Sequence, residues 1–317
     1  MNMVDTAVAA LGEAQTMAAE KRPIADFLSG YSVETSPGAA ENIGRFRDYL
    51  PAGTRVYIAA LPGTDFVRVV ETARRLRAEG LIPVPHLPAR GLTGPDQLDT
   101  LLGRFGDLAG VREVLAIGGG VVTPVGAFDR TLQMLQTGLF EKHGIRRIGV
   151  AGHPEGNADI GEAGLDEALA QKNAFARATG IDLYIVTQFC FDARPVIAWD
   201  RAIRARGNRL PIHIGIAGPA TLRSLVTYAR LCGIGPSARM VRRQAMNLAK
   251  LAKVSAPDRL VTALARHRAD DPACGITQAH FYTFGGLRRA ALWLDAAVRG
   301  DFDWDPDREG FTANVVL

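Results

Sequence analysis

The chain has little with which to build a metal centre, a disulfide framework or a membrane anchor. Its three cysteines, Cys190, Cys232 and Cys274, lack metal-like spacing, and any pairing leaves one over. That usage suits a reducing compartment, and a cytoplasmic location is expected. No run approaches the ~20 apolar residues of a membrane span. The first twenty residues are Ala-rich and carry Glu13 and Glu20, without the basic start and apolar stretch of a secretory signal. The six histidines (His86, His143, His153, His213, His267, His280) include no i, i+4 pair with a third ligand, which disfavours a hydrolytic metal site. No G-x-S-x-G elbow is present, and Gly118-Gly119-Gly120 lacks the G-x-G-x-x-G spacing of a dinucleotide fingerprint. The net charge of +4 comes without a basic run interleaved with aromatics, so neither nucleic acid nor a membrane surface is an expected partner.

What is present is ordinary globular material: 317 residues, 47% hydrophobic and 22% charged. Short β-branched runs alternate with longer amphipathic ones. Strands are expected at Tyr31–Ser36, Arg55–Ala60, Ile82–His86, Glu113–Ile117, Arg147–Ala151, Leu183–Phe189, Pro211–Ile216 and Ala279–Phe284. Helices are expected at Thr64–Glu79, Asp96–Leu108, Phe128–Lys142, Glu162–Ala178, Val196–Arg206 and Thr221–Leu231, with Thr64 and Thr221 as N-caps. Gly80, Gly180 and Gly207 stand where helices should stop. About eight strand–helix units predict a single α/β domain, a (β/α)8 TIM barrel over roughly residues 28–300. An N-terminal helical extension precedes it, and extra helices at Met240–Leu251 and Pro257–His267 precede the last strand.

In such a barrel the functional residues lie at or just beyond the strand C-termini. Those positions hold Glu34, His86, Gly118–Gly120, His153–Glu155, Gln188 and Tyr282. Glu34 is the sharpest, because a carboxylate in an otherwise apolar strand is costly unless it is used. Desolvation would raise its pKa and suit it to act as a general acid. Gln188 both donates and accepts, which fits a heterocycle with amide-like edges. Histidines and turn-rich loops also have purely structural uses, and the three glycines by themselves signal only a tight backbone.

Taken in order, several segments resemble the methylenetetrahydrofolate reductase family. They are Ser32-Val33-Glu34-Thr35-Ser36-Pro37, Pro85-His86-Leu87, Val114-Leu115-Ala116-Ile117-Gly118-Gly119 and Val150-Ala151-Gly152-His153-Pro154-Glu155-Gly156. Ile185-Val186-Thr187-Gln188-Phe189-Cys190-Phe191-Asp192, Pro211-Ile212-His213-Ile214-Gly215-Ile216 and His280-Phe281-Tyr282-Thr283 complete the set. The resemblance implies a barrel-only oxidoreductase with non-covalent FAD, using NADH or NADPH as co-substrate and a tetrahydrofolate derivative as substrate. It implies Glu34 as the acid that protonates the folate nitrogen, and Gln188 and Tyr282 as substrate contacts. FAD would be held by Ala60, His86, Gly118, Gly119, Gly120, Ala151, Gly152, His153, Glu155, Asn157 and Lys172. Barrels often associate through their outer helices, so a homo-oligomer is open.

The pattern departs from the family in places. Gly118-Gly119-Gly120 stands where the family commonly has Arg-Gly-Asp, Asn157 replaces a histidine, and Gly286 stands where an arginine often follows Tyr282. Lys172 lies about one helical turn before the usual FAD-contacting lysine. Two other classes compete: a proline-dehydrogenase-like flavin barrel, and a flavin-free folate- or pterin-binding methyl carrier. If flavin binds, the missing carboxylate at Gly120 should raise its potential and favour oxidation of 5-methyltetrahydrofolate. Gly120→Asp should then lower the midpoint potential measured by dye equilibration; an unchanged potential would sink the idea.

Overall fold

The computed structural model describes residues 21–231, 254–305 and 309–317. Eight parallel strands close into a barrel. They are β1 (Ser32–Thr35), β2 (Arg55–Ile58), β3 (Ile82–Pro88), β4 (Glu113–Ile117), β5 (Arg147–Gly152), β6 (Asp182–Thr187), β7 (Ile212–Ala217) and, after two short strands, β10 (Ile276–Tyr282). The order around the barrel is β1-β10-β7-β6-β5-β4-β3-β2. This is the expected (β/α)8 architecture, with strand boundaries shifted by a few residues.

Helices cross between the strands at Phe66–Ala78, Pro95–Ala109, Gly161–Thr179, Ala193–Ala205 and Leu222–Leu231. Asp65, rather than Thr64, caps the first of these, its carboxylate accepting the Val67 N–H at 2.8 Å. Thr221 serves as expected, its hydroxyl accepting the Ser224 N–H at 3.2 Å. The span expected to be one helix from Phe128 is two short ones, Thr131–Leu135 and Leu139–Lys142. Gly138 separates them in the left-handed conformation at φ 71°. Residues 21–28 are helical, and Ile24, Phe27 and Leu28 are buried in the main core. The remainder of the N-terminal extension and the expected helix Met240–Leu251 lie outside the described residues. The other expected extra helix is present as Asp258–Asp270.

Two elements had no counterpart in the sequence reading. Short strands β8 (Ala220–Thr221) and β9 (Val254–Ser255) pair antiparallel. After the last helix, Leu287–Val298, strands β11 (Phe302–Asp305) and β12 (Gly310–Ala313) form an antiparallel pair. Their Phe302 and Phe311 rings meet at 4.4 Å, and Phe311 stacks on Trp293 at 5.6 Å.

The strand register divides the side chains into two sets. One face of each strand carries Val33, Val56, Ile58, Val114, Ile148, Val150, Ile185, Ile214 and Phe281, all buried in the main core. The partner positions fall on the other face: Ser32 with Arg55 and His280, Glu34 with Tyr57 and Tyr282, and His213 with Val186 and Gln278. Period-two alternation turns this second set into the barrel. The lumen is therefore unusually polar for a parallel barrel.

Its lower end is closed by ions, with Arg55 Nε 2.8 Å and Arg147 Nε 3.7 Å from Glu113, and Arg147 Nε 3.2 Å from Asp182. Above them the Tyr57 and Tyr184 hydroxyls meet at 2.7 Å, and His213 stacks on Tyr184 at 4.2 Å. The Tyr184 ring has room because Gly149 sits beside it; a Cβ there would lie 2.9 Å from both Tyr184 Cζ and Leu115 Cδ1. Gly149→Ala should thus destabilise the fold by about 1–3 kcal/mol through overpacking, read as a lower urea midpoint at unchanged m-value.

Candidate functional site

At the C-terminal mouth, β1 presents Glu34 between residues from two neighbouring directions. His86 Nε2 on β3 lies 3.4 Å from Glu34 Oε2, and His280 Nε2 on β10 lies 3.8 Å from the same oxygen. Among the described residues neither imidazole nitrogen has a hydrogen-bond partner, although both are buried. His280 Nδ1 is 2.9 Å from the Ser32 hydroxyl. Tyr57 packs against both rings, with centroids 6.2 Å from His86 and 4.4 Å from His280.

Burial sets the protonation of this group. It raises the Glu34 pKa, an effect only partly opposed by the neighbouring His86. It lowers the His86 pKa against the attraction of Glu34, and pushes His280 down to about 3. A carboxyl group that favours its neutral form therefore faces two imidazoles that favour theirs. Such a site holds its proton to higher pH than an exposed carboxyl group and can release it to a bound base.

The wall beyond Glu34 is aromatic. Tyr282, Phe189, Phe191 and Phe284 make edge and tilted contacts, with Phe189 5.2 Å from Tyr282 and 5.0 Å from Phe284. Tyr282 donates its hydroxyl to the Thr187 carbonyl at 3.0 Å, which fixes the ring at the rim. Gln188 is half-buried at the end of β6, its side-chain oxygen 3.3 Å from the Phe189 N–H. Thr283 donates to the Glu34 carbonyl at 2.8 Å and ties the end of β10 to β1.

The opposite rim carries the other expected residues. Ala60 is buried just beyond β2. Gly118 to Gly120 form the turn after β4, where Gly118 accepts the Arg90 N–H at 2.9 Å. Gly119 has φ 94°, and a Cβ there would lie 3.0 Å from Pro88 Cβ, so the backbone itself requires glycine. Gly152 also has a packing reason, since its Cβ would meet Ile185 Cγ2 at 2.4 Å. Exposed Leu61, Val122 and Val125 lie in the loops after β2 and β4.

Ala151 near the end of β5, and His153, Glu155 and Asn157 beyond it, are half-buried. The Asn157 side chain accepts from the Asp159 and Ile160 N–H groups at 2.9 and 3.2 Å, leading the chain into the next helix. Lys172 reaches back from that helix to the Ala151 carbonyl at 3.4 Å. Burial lowers its pKa to about 8, and burial followed by the nearby Lys172 lowers His153 to about 4. A poorly compensated ammonium at a barrel mouth is suited to a phosphate group.

The fold thus brings Glu34, His86 and Tyr282 to one mouth, with Gln188 on the adjoining rim. His86, expected as a cofactor contact, also faces Glu34. Sequence reasoning gave no role to His280, His213, Ser32, Tyr57 or Tyr184. The period-two pairs Ser32/Glu34 and His280/Tyr282 were the available signal, since same-face neighbours in a strand share an environment.

Two other features lie apart. Asp200, His267 and Cys274 place ligand-type atoms within 4.8 Å of one another. The Asp200 carboxylate is already occupied by Arg204 at 3.1 Å, His267 at 3.2 Å and the Gly275 N–H at 3.1 Å, which makes this an ion-pair network. A cavity of about 890 Å³ is lined by Phe191, Asp192, Arg194, Asp258, Arg266 and Phe311 among others, and by none of the expected site residues.

No protein-family model matches the chain. Among solved structures, an uncharacterized protein from Clostridium thermocellum, described as binding two copies of 5-methyl-5,6,7,8-tetrahydrofolic acid, superposes with a TM-score of 0.56. The identity is 13%, over 85% of this chain and 97% of that one. Yersinia pestis DHPS with a pterine-sulfa conjugate matches at a TM-score of 0.44, with 13% identity over 85% and 94% of the two chains. An oxaloacetate acetylhydrolase matches at 0.45, with 10% identity over 88% and 85%. The first likeness is one of fold, and the other two are too loose to bear on the site. Among the described residues, no helix is long and apolar enough to cross a membrane.

The site has a consequence for stability. The Glu34 pKa is higher folded than unfolded, so the folded state holds this proton more tightly. Its contribution is most favourable below the unfolded value and declines as pH rises towards the folded one. Glu34→Gln should therefore gain stability relative to the parent as pH rises above the ordinary glutamate range, measured by urea unfolding; a constant difference would count against a raised pKa.

Proposed function

We propose that this protein is a flavin-dependent oxidoreductase of reduced folates. It would interconvert 5,10-methylenetetrahydrofolate and 5-methyltetrahydrofolate, with NADH/NAD+ or NADPH/NADP+ as the other couple. The observation that carries the reading is Glu34: a largely buried carboxyl group at the barrel mouth, with its pKa raised by burial and no lysine or arginine ion pair among the described residues. A protein that merely bound a ligand would have little use for so costly a group.

The residues present fit a flavin dinucleotide. Lys172 offers a half-buried ammonium with a single long carbonyl contact, suited to a pyrophosphate. The turn at Gly118 to Gly120 offers backbone without side chains, and the unpartnered His86 Nε2 offers a polar contact. When bound, the flavin would supply a two-electron hydride acceptor and donor. The chain's own residues supply the rest. Tyr282 and the Phe189 cluster offer faces on which a pterin can lie, and Gln188 offers an amide for its edge.

Glu34 supplies the proton. In the reducing direction it protonates the bridge nitrogen of methylenetetrahydrofolate; the C–N bond opens, and the carbon receives the hydride. In the oxidising direction the carbon loses hydride, the nitrogen re-closes the bridge, and its proton returns to Glu34. The reducing reaction thus consumes one proton and one hydride. The absence of a carboxylate at Gly120, relative to the family pattern, supports a bias towards oxidation of the methyl form.

A second reading is a flavin-free folate-binding protein. The specific support for it is the Clostridium thermocellum protein, which shares the barrel and is described as binding a methylated folate. The absorbance spectrum of the purified protein separates the two. A flavin band bleached by anaerobic 5-methyltetrahydrofolate is the expected result; a colourless protein that binds the folate would establish the second reading. Glu34→Gln should slow folate turnover by at least about a hundredfold, while NAD(P)H-driven bleaching changes little. Equal losses in both steps would remove Glu34 as the acid.

A further inference from the structure

His280 and Ser32 are both fully buried, and the register of β1 on β10 sets them side by side. Ser32 Oγ lies 2.9 Å from His280 Nδ1, and no other hydrogen bond of this hydroxyl is found among the described residues. If it accepted a proton from Nδ1, its own hydrogen would be buried without an acceptor, which costs about 1–3 kcal/mol. Donation to Nδ1 avoids that cost. A neutral imidazole carries one proton, so an accepting Nδ1 places it on Nε2. Nε2 is the nitrogen that faces Glu34 Oε2 at 3.8 Å, just beyond hydrogen-bond length, and it has no hydrogen-bond partner among the described residues.

The remaining groups around Glu34 are committed elsewhere or equivalent. Tyr57, its register partner on β2, spends its hydroxyl on Tyr184 at 2.7 Å. Tyr282, its partner on β10, donates to the Thr187 carbonyl at 3.0 Å. His86 approaches from β3 at 3.4 Å, and no charged side chain other than Glu34 enters this layer among the described residues. With its pKa lowered to about 3, His280 stays neutral across the working range.

We propose that His280 is a positioning residue for the Glu34 proton, locked by the Ser32 hydroxyl as the Nε2–H tautomer with that N–H directed at the carboxylate. The donor favours the ionised form of Glu34 and so opposes the burial that favours the neutral one. A residue that must give up a proton and regain it in each cycle needs both forms within reach. This catalytic purpose rests on the folate reading above, whereas the tautomer and its effect on Glu34 do not.

The test uses the ligand-free protein. Nitrogen-15 NMR of its histidines reports the His280 tautomer, assigned by loss of the signal in His280→Gln. Infrared titration follows the neutral carboxyl band of Glu34, assigned by its loss in Glu34→Gln. The expected result is an Nε2–H tautomer in the parent. In Ser32→Ala the carboxyl band should persist to a pH higher by about one unit, and Ser32→Thr, which keeps the hydroxyl, should restore the parent titration. An Nδ1–H tautomer in the parent overturns the proposal whether or not Ser32→Ala folds, and so does an unmoved titration in a folded Ser32→Ala. In turnover, Ser32→Ala should shift the pH profile of the folate step and leave the NAD(P)H step in place. A parent without folate turnover would end the folate reading while leaving the tautomer result intact; turnover with an unmoved profile would end the positioning role alone.

Discussion

Closure of eight parallel strands forces every second side chain into one shared interior, and the site depends on that constraint. The outward residues of these strands are apolar because they meet the helices. The inward ones are free to differ, and here they run from an ionic plug at Arg55, Glu113, Arg147 and Asp182, through the Tyr57–Tyr184 pair, to Glu34 at the mouth. Each layer supports the next. Gly149 leaves space for the Tyr184 ring, Tyr184 bonds Tyr57, and Tyr57 packs on the two histidines that face Glu34.

The chemistry of the mouth follows from that packing. A carboxylate in water needs no neighbours, but one lowered into the lumen is desolvated and must either be neutral or be given donors. Glu34 has two buried imidazoles at hand, both themselves driven neutral by burial. That balance, rather than any single ion pair, sets how tightly the carboxyl group holds its proton. The mouth is also two-sided. Aromatic rings from the ends of β6 and β10 form one wall, while small residues after β4 and β5 and a half-buried lysine from the helix after β5 form the other.

Much of this was legible in the residues. The alternation of β-branched runs with amphipathic stretches was enough for the barrel, because buried parallel strands and their crossover helices carry opposite periodicities. Glu34 stood out for being charged within an apolar strand. The C-terminal strand pair was not legible: Phe302 and Phe311 lie in a short polar context, and what marks them out is tertiary packing, Phe302 on Phe311 and Phe311 on Trp293. The local role of Asn157 was not legible either: its side chain accepts from the Asp159 and Ile160 N–H groups at the start of a helix, as asparagines in turn-rich loops often do.

By itself, the sequence determined the fold class, the location of the mouth and the identity of the one misplaced carboxylate, since these depend on local periodicity and composition. Only the tertiary structure decided what surrounds that carboxylate. His280 is 246 positions from Glu34 and His86 is 52 away, and nothing local to either histidine marks it as facing the acid. Strand register across the closing seam between β1 and β10 set Ser32 beside His280 and Glu34 beside Tyr282. Register is a property of the closed sheet, and a slip of one residue would turn the whole set out of the lumen.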